Sequence, residues 1–139
     1  MLLIIRLILF LVPGMLLLAS GAAKADQVYL ICKLVNAHSV EKDGRVFSST
    51  EKLKKELSDD IIILNTKKKQ IEKGPFLPEN EKLISWGKDS IIWSTQVSKQ
   101  TVYNLNLDRN TGALTKVSIN PHVTTTLNYK CNRENNIKF

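Results

Sequence analysis

The chain has 139 residues, with 20 Lys and Arg against 13 Asp and Glu, a net charge of +7, and only 6% aromatic residues. That length holds one domain. Two cysteines exclude a disulfide-dense scaffold, and so few aromatics argue against a surface that stacks nucleic-acid bases.

The first 18 residues are nearly all Leu, Ile, Val, Phe and Met, interrupted by Arg6 and by Pro13 and Gly14. Small residues follow, and Ala23, Lys24 and Ala25 fit a small-x-small cleavage pattern. Together these describe a secretory signal peptide. The competing expectation is an uncleaved anchor, but the run is barely as long as the roughly 18 apolar residues a spanning helix needs. Cutting is expected after Ala25, with Ala23 as the alternative. Removal of residues 1–25 leaves one exported domain, 26–139. Arg6 and Lys24 leave with the signal, so the charge falls from +7 to +5. No integral membrane association is expected after cleavage.

Residues 27–35 read as a first strand, with Val28, Leu30, Cys32 and Leu34 on one face. Residues 36–39 read as a loop. Residues 40–47 form a short hairpin with Asp43 and Gly44 at its tip, a dipeptide suited to tight turns. Ser48 and Glu51 fit a capping box opening a short helix over residues 50–58, with Leu53 and Leu57 as its narrow apolar edge. Residues 60–65 contain the run Ile61, Ile62, Ile63 and Leu64, which suits a central strand covered on both faces. Residues 66–69 turn the chain and 70–73 return it. Pro75 and Pro78 keep residues 74–78 out of a central strand, because proline lacks a ladder donor.

A hairpin follows over residues 83–95, turning at 87–90. Its tryptophans, Trp86 and Trp93, are seven residues apart and are expected on opposite faces, one in the core and one exposed. Tyr103, Leu105 and Leu107 then alternate with Asn104, Asn106 and Asp108. Asp108, Arg109, Asn110, Thr111 and Gly112 supply turn chemistry, and residues 113–119 resume the alternation. Asn120 and Pro121 break that strand. The last strand, 124–132, carries Leu127, Tyr129 and Cys131 on one face.

The fold class is therefore mainly all-β: an antiparallel meander of about eight short strands with one short helix. Cys32 and Cys131 lie near opposite ends of the exported chain, and an even count in an exported protein favours a disulfide. Closing so long a loop stabilises by up to about 4 to 5 kcal/mol in the chain-entropy model. Tying the first strand to the last favours a small closed or partly open barrel. An open curved sheet or a two-sheet sandwich is the alternative.

The signal peptide, the turn at Trp86 and Gly87, the Asp108–Gly112 hairpin and the terminal Cys131 followed by Lys138 and Phe139 resemble small uncharacterised exported proteins of Gram-negative bacteria. The resemblance spans roughly the last sixty residues of the chain, apart from the signal. It implies an exported β-domain and brings no activity, ligand or site residue with it.

The search for chemistry returns little. His38 and His122 read as solvated loop residues without metal partners nearby. Ser85 and Lys88 have catalytic spacing but fall on a strand end rather than a helix start. Asp59 with Asp60, and Glu79 with Glu81, read as solvated carboxylates. The spacing of Asp108, Asn110 and Gly112 suggests a calcium loop, but Ile119 stands where the twelfth-position Glu belongs. No catalytic residue, metal or cofactor is expected.

Basic residues offer a better lead. Lys67, Lys68 and Lys69 with Lys73, and Lys52, Lys54 and Lys55 on the helix, could make a positive face for anionic lipid or another polyanion. The competing expectation is a solubility device that protects strand edges. Arg109, Trp86 and Trp93 are further candidate contacts. The function expected is a non-catalytic domain acting by protein or envelope-surface binding, with no nucleic-acid partner. The alternatives are a lipocalin-like carrier and an inhibitor of a secreted hydrolase. A basic target such as lysozyme would be repelled by a +5 partner.

Overall fold

Alternating apolar residues build a single antiparallel sheet. The computed structural model describes residues 26–134. The expected signal peptide, its cleavage positions, Lys138 and Phe139 all lie outside that range. The elements in chain order are β1 (Gln27–Glu41), β2 (Val46–Ser48), α1 (Thr50–Glu56), β3 (Asp60–Asn65) and β4 (Gln70–Lys73). After a 3-10 turn (Glu81–Leu83) come β5 (Ile84–Trp86), β6 (Ser90–Gln96), β7 (Val102–Asp108), β8 (Ala113–Ile119) and β9 (Val123–Arg133). The sheet curls into a half-barrel with strand order β4-β3-β1-β9-β8-β7-β6-β5, and β2 adds to the far end of β1.

The first and last strands do pair, with Cys32 directly opposite Cys131 and joined to it as a disulfide. That pairing lies in the middle of the sheet rather than at a closing seam. The unpaired edges are β4 and β5, which are consecutive in the chain. The barrel is thus the partly open one. Strands of four and three residues offer few ladder bonds, and the prolines between them cannot extend either edge.

The segment 74–80 instead crosses the concave face. Pro75 O accepts the indole N–H of Trp93 at 3.0 Å, and Phe76 O accepts the Thr95 hydroxyl. The Phe76 ring stacks on Tyr103 at 4.0 Å. These contacts hold the open side without a strand pair.

Cross-strand partners share a face, so the register assigns each side of the sheet. The concave face carries Cys32, Ile62, Leu64, Ile91, Trp93, Leu105, Leu107, Leu114, Tyr129 and Cys131, all buried. The convex face mixes apolar residues such as Ile31, Ile63, Ile92 and Val117 with Asn and Thr, as in the chain Thr115 to Asn128 to Asn36. On this face Ile61 is 36% exposed while Ile63 is half-buried and Asn65 buried, so the outer side of β3 is only partly covered, less than its apolar run suggests.

Three further local expectations change. β1 runs on to Glu41, and His38 lies in it, paired with Ser48 and Thr126. A register shift between Leu34 and Asn36 throws Val35 outward and breaks the alternation that marks a strand. The Ser48 capping box does not form. Ser48 belongs to β2, Ser49 is the N-cap without a side-chain bond, and the Thr50 hydroxyl instead fastens the helix to the backbone of Ala37. Finally, Trp86 and Trp93 share the concave face. Trp86 faces Ile91, and Ile84 faces Trp93, so facing partners rather than chain spacing decide the side.

Candidate functional site

Arginine and lysine side chains from separate hairpins gather at one end of the half-barrel. β1 begins there, because Gln27 pairs with Asn65 just before the β3–β4 turn. β9 ends there, with Arg133 opposite Leu30 and therefore on the concave side. The β7–β8 turn joins the same end, since Gly112 O accepts the Cys131 N–H at 2.8 Å. The β5–β6 turn lies beside it. Arg109 Nη1 donates to Gly87 O at 2.7 Å and to Lys88 O at 3.2 Å, and Arg109 N donates to Asp89 O. This end therefore carries Lys67, Lys68, Lys69, Arg109 and Arg133.

Each turn has a local reason for its shape. Asn65 is buried, and its side-chain oxygen accepts the Lys68 N–H, which curls the lysine turn. The Asp108 carboxylate accepts the N–H groups of Asn110 and Thr111 at 2.8 and 2.9 Å. Those bonds, Thr111 first, hold the Asp108 pKa below the usual value of 3.8 and keep it ionised. Gly112 sits at φ +75°, and a Cβ there would lie 2.5 Å from Cys131 O, so the turn and its close approach to β9 both require glycine.

The carboxylates of these turns are already engaged. Asp89 accepts the Asn110 side-chain amide, and Glu72 accepts those of Gln27 and Asn65. Among the described residues, the side chains of Lys67, Lys68, Lys69 and Arg133 make no hydrogen bond or ion pair. The three lysines are exposed. This end thus presents lysine and arginine side chains without ion-pair partners among the described residues, beside carboxylates that remain charged.

Two clefts open there. The mouth cleft, about 370 Å³, is floored by Val28, Leu30 and Leu107 and rimmed by Thr66, Arg109 and Arg133. The seam cleft, about 280 Å³, lies between the β4 and β5 edges and is lined by Lys68, Lys69, Ile71, Leu77 and Ile84. Both combine an apolar floor with cationic side chains, and each also carries one carboxylate, Asp108 in the mouth cleft and Glu79 in the seam cleft.

The sequence-derived candidates separate cleanly. Lys67, Lys68, Lys69 and Arg109 come together at this end, and Trp86 sits half-buried beneath the Arg109 guanidinium, 5.4 Å from it. Trp93 is fully buried, its N–H bonded to Pro75 O, and offers no surface contact. Lys52, Lys54 and Lys55 lie on α1, against the far half of β1, and do not join the site. His122 is an exposed loop residue. Arg133 escaped sequence reading, although its place two residues after Cys131 puts it on the disulfide's face.

A second polar group lies inside the sheet. Lys116 is 5% exposed on the concave side of β8 and pairs with Asp60 of β3. The Lys116 ammonium lies 4.4 Å from the Tyr129 ring and 5.8 Å from that of Phe76. Burial, then the Asp60 charge, pushes the Tyr129 hydroxyl up from 10.0 to about 12. Asp60 was expected as a solvated carboxylate beside Asp59; its strand position turns it inward instead. Leu114 and Lys116 follow one alternation, which signalled the buried lysine but not its partner. The pair is closed on itself: an ammonium neutralised by a carboxylate is a poor nucleophile.

Among the described residues no three His, Cys, Asp or Glu side chains gather to hold a metal, and no helix is long and apolar enough to cross a membrane. No family model, curated protein or solved structure matches this chain.

Proposed function

We propose that this protein is a non-catalytic, exported binding domain that attaches to an anionic envelope surface through the basic end of its half-barrel. The observation that carries this reading is the convergence of Lys67, Lys68, Lys69 and Arg133 on one end, without a side-chain partner among the described residues, while Asp89, Asp108 and Glu72 nearby are hydrogen-bonded to amides. Juxtaposed lysines and arginines attract anionic headgroups by about 1 kcal/mol each near a membrane surface. The disulfide is compatible with export, because such bonds persist in oxidising compartments.

A carrier function has less support. Trp93, Leu105 and Leu114 are wholly buried on the concave face, where a lipocalin-like barrel would keep its cavity.

The test is co-sedimentation of the purified protein with phosphatidylcholine vesicles, with and without phosphatidylglycerol, at low and high salt. Binding is expected only to the anionic vesicles and is expected to weaken with salt. Replacing Lys67, Lys68 and Lys69 together with Glu should cost about a hundredfold or more in affinity. Equal binding to both vesicle types, or no binding to either, overturns the reading.

A further inference from the structure

We infer that the mouth cleft is a headgroup subsite for a phosphate-headed lipid, taking the phosphate between Arg133 and Arg109 and the first methylenes against Val28, Leu30 and Leu107. This inference rests on the anionic-surface reading and names the chemistry recognised there. Three observations support it.

The first is charge complementarity. Arg133 faces the concave side opposite Leu30 and is unengaged among the described residues. Arg109 commits Nη1 to Gly87 and Lys88, which fixes its guanidinium at the rim while leaving its other donors for a ligand. Arginine forks match phosphate oxygens in pairs, so two of them favour a doubly charged head over a neutral one. Asp108, the one carboxylate on the cleft wall, is already bonded to two turn amides.

The second is the floor. Val28, Leu30 and Leu107 form an apolar strip directly below these cations, an arrangement that a free inorganic ion would not use. The third is size. At about 370 Å³ the cleft lies near the small end of ligand sites, and beyond it Trp93, Leu105 and Leu114 fill the interior. A headgroup with its first methylenes fits; a whole acyl chain does not. The protein therefore docks end-on and reads a headgroup in place, without extracting the lipid.

The test is a backbone-amide NMR titration of the purified protein with octyl phosphate below its micelle threshold, alongside inorganic phosphate and octyl glucoside. Octyl phosphate should shift Val28, Leu30, Leu107, Gly112 and Arg133. It should bind about tenfold or more tighter than either control, the gain from burying roughly two methylenes or from pairing the charge. Arg133→Glu should weaken it by about tenfold or more while the remaining spectrum stays folded. Equal binding of inorganic phosphate removes the floor from the argument, and equal binding of octyl glucoside removes the charge. Either result overturns the subsite, as does a titration that maps to the seam cleft or is unchanged in Arg133→Glu. Vesicle binding without any octyl phosphate shift overturns the subsite alone. Octyl phosphate shifts at the mouth without vesicle binding support the subsite and overturn the surface-attachment reading.

Discussion

The middle of the sheet and its open side solve the same problem in opposite ways. At the middle, β1 and β9 pair from Leu30 with Arg133 to Glu41 with Val123, and a disulfide bolts them. At the open side, β4 and β5 do not pair with each other, and residues 74–80 between them are held to β6 and β7 by one indole bond, one hydroxyl bond and a stacked ring. A closed barrel would have no free edges. Here the long non-local pairing supplies rigidity, and the incomplete closure leaves the clefts. The bolt sits two residues from the candidate site: Cys32 and Cys131 fix Leu30 and Arg133 beside each other. The disulfide and the candidate site are adjacent in this fold because one strand pair carries both.

This contrast can be broken, most severely at its centre. Replacing Cys32 and Cys131 with Ala frees a span of 99 residues and should cost about 4 to 5 kcal/mol in the chain-entropy model. Urea unfolding of the variant and wild type measures it; an unchanged midpoint would show that the strand pairing needs no bolt.

Next comes the buried ion pair, which joins β3 to β8 across the concave face. Lys116→Met leaves Asp60 facing an apolar surface and should cost about 3 kcal/mol, since removing one partner strands the other. Adding Asp60→Leu should recover most of that loss. A double variant as unstable as the single would sink the explanation.

The smallest effect is expected at the seam. Phe76→Ala removes the Tyr103 stack from a residue already 40% exposed and should cost about 1 kcal/mol. Hydrogen exchange should then quicken in β4 and β5 and remain slow in β1 and β9. Uniform acceleration would mean that the two regions are not separate in stability.

Much of this architecture is legible in the sequence. β3 over residues 60–65 and β8 over 113–119 match their sequence boundaries, because both alternate or run apolar between strong turn signals. The Asp108–Gly112 turn and the Asp43 and Gly44 tip were equally plain, with Gly112 and Gly44 at positive φ. β1 was cut short because its bulge at Val35 shifts the phase of the pattern. The helix opens at Thr50 as expected, but the Ser48 capping box does not form, and the Thr50 hydroxyl instead bonds the backbone of Ala37.

For the candidate site, the residue types were visible and their neighbours were not. Lys67 and Arg109 are 42 positions apart, and only the insertion of β1 and β9 between β3 and β8 brings their turns to one end. Trp86 and Trp93 show the same limit at short range, since their common face follows from the pairing of Ile84 with Trp93.

By itself, the sequence determined which residues of most strands share a face, where most hairpins turn, and that its two cysteines have only each other. Those properties follow from period-two alternation, turn stereochemistry and an even cysteine count, all written within a few residues. The tertiary structure alone decided strand order, the choice of Asp60 as the partner of Lys116, the unclosed seam, and the gathering of lysine and arginine at one end. Each depends on pairings between strands far apart in the chain, whose free energy leaves no local pattern to read.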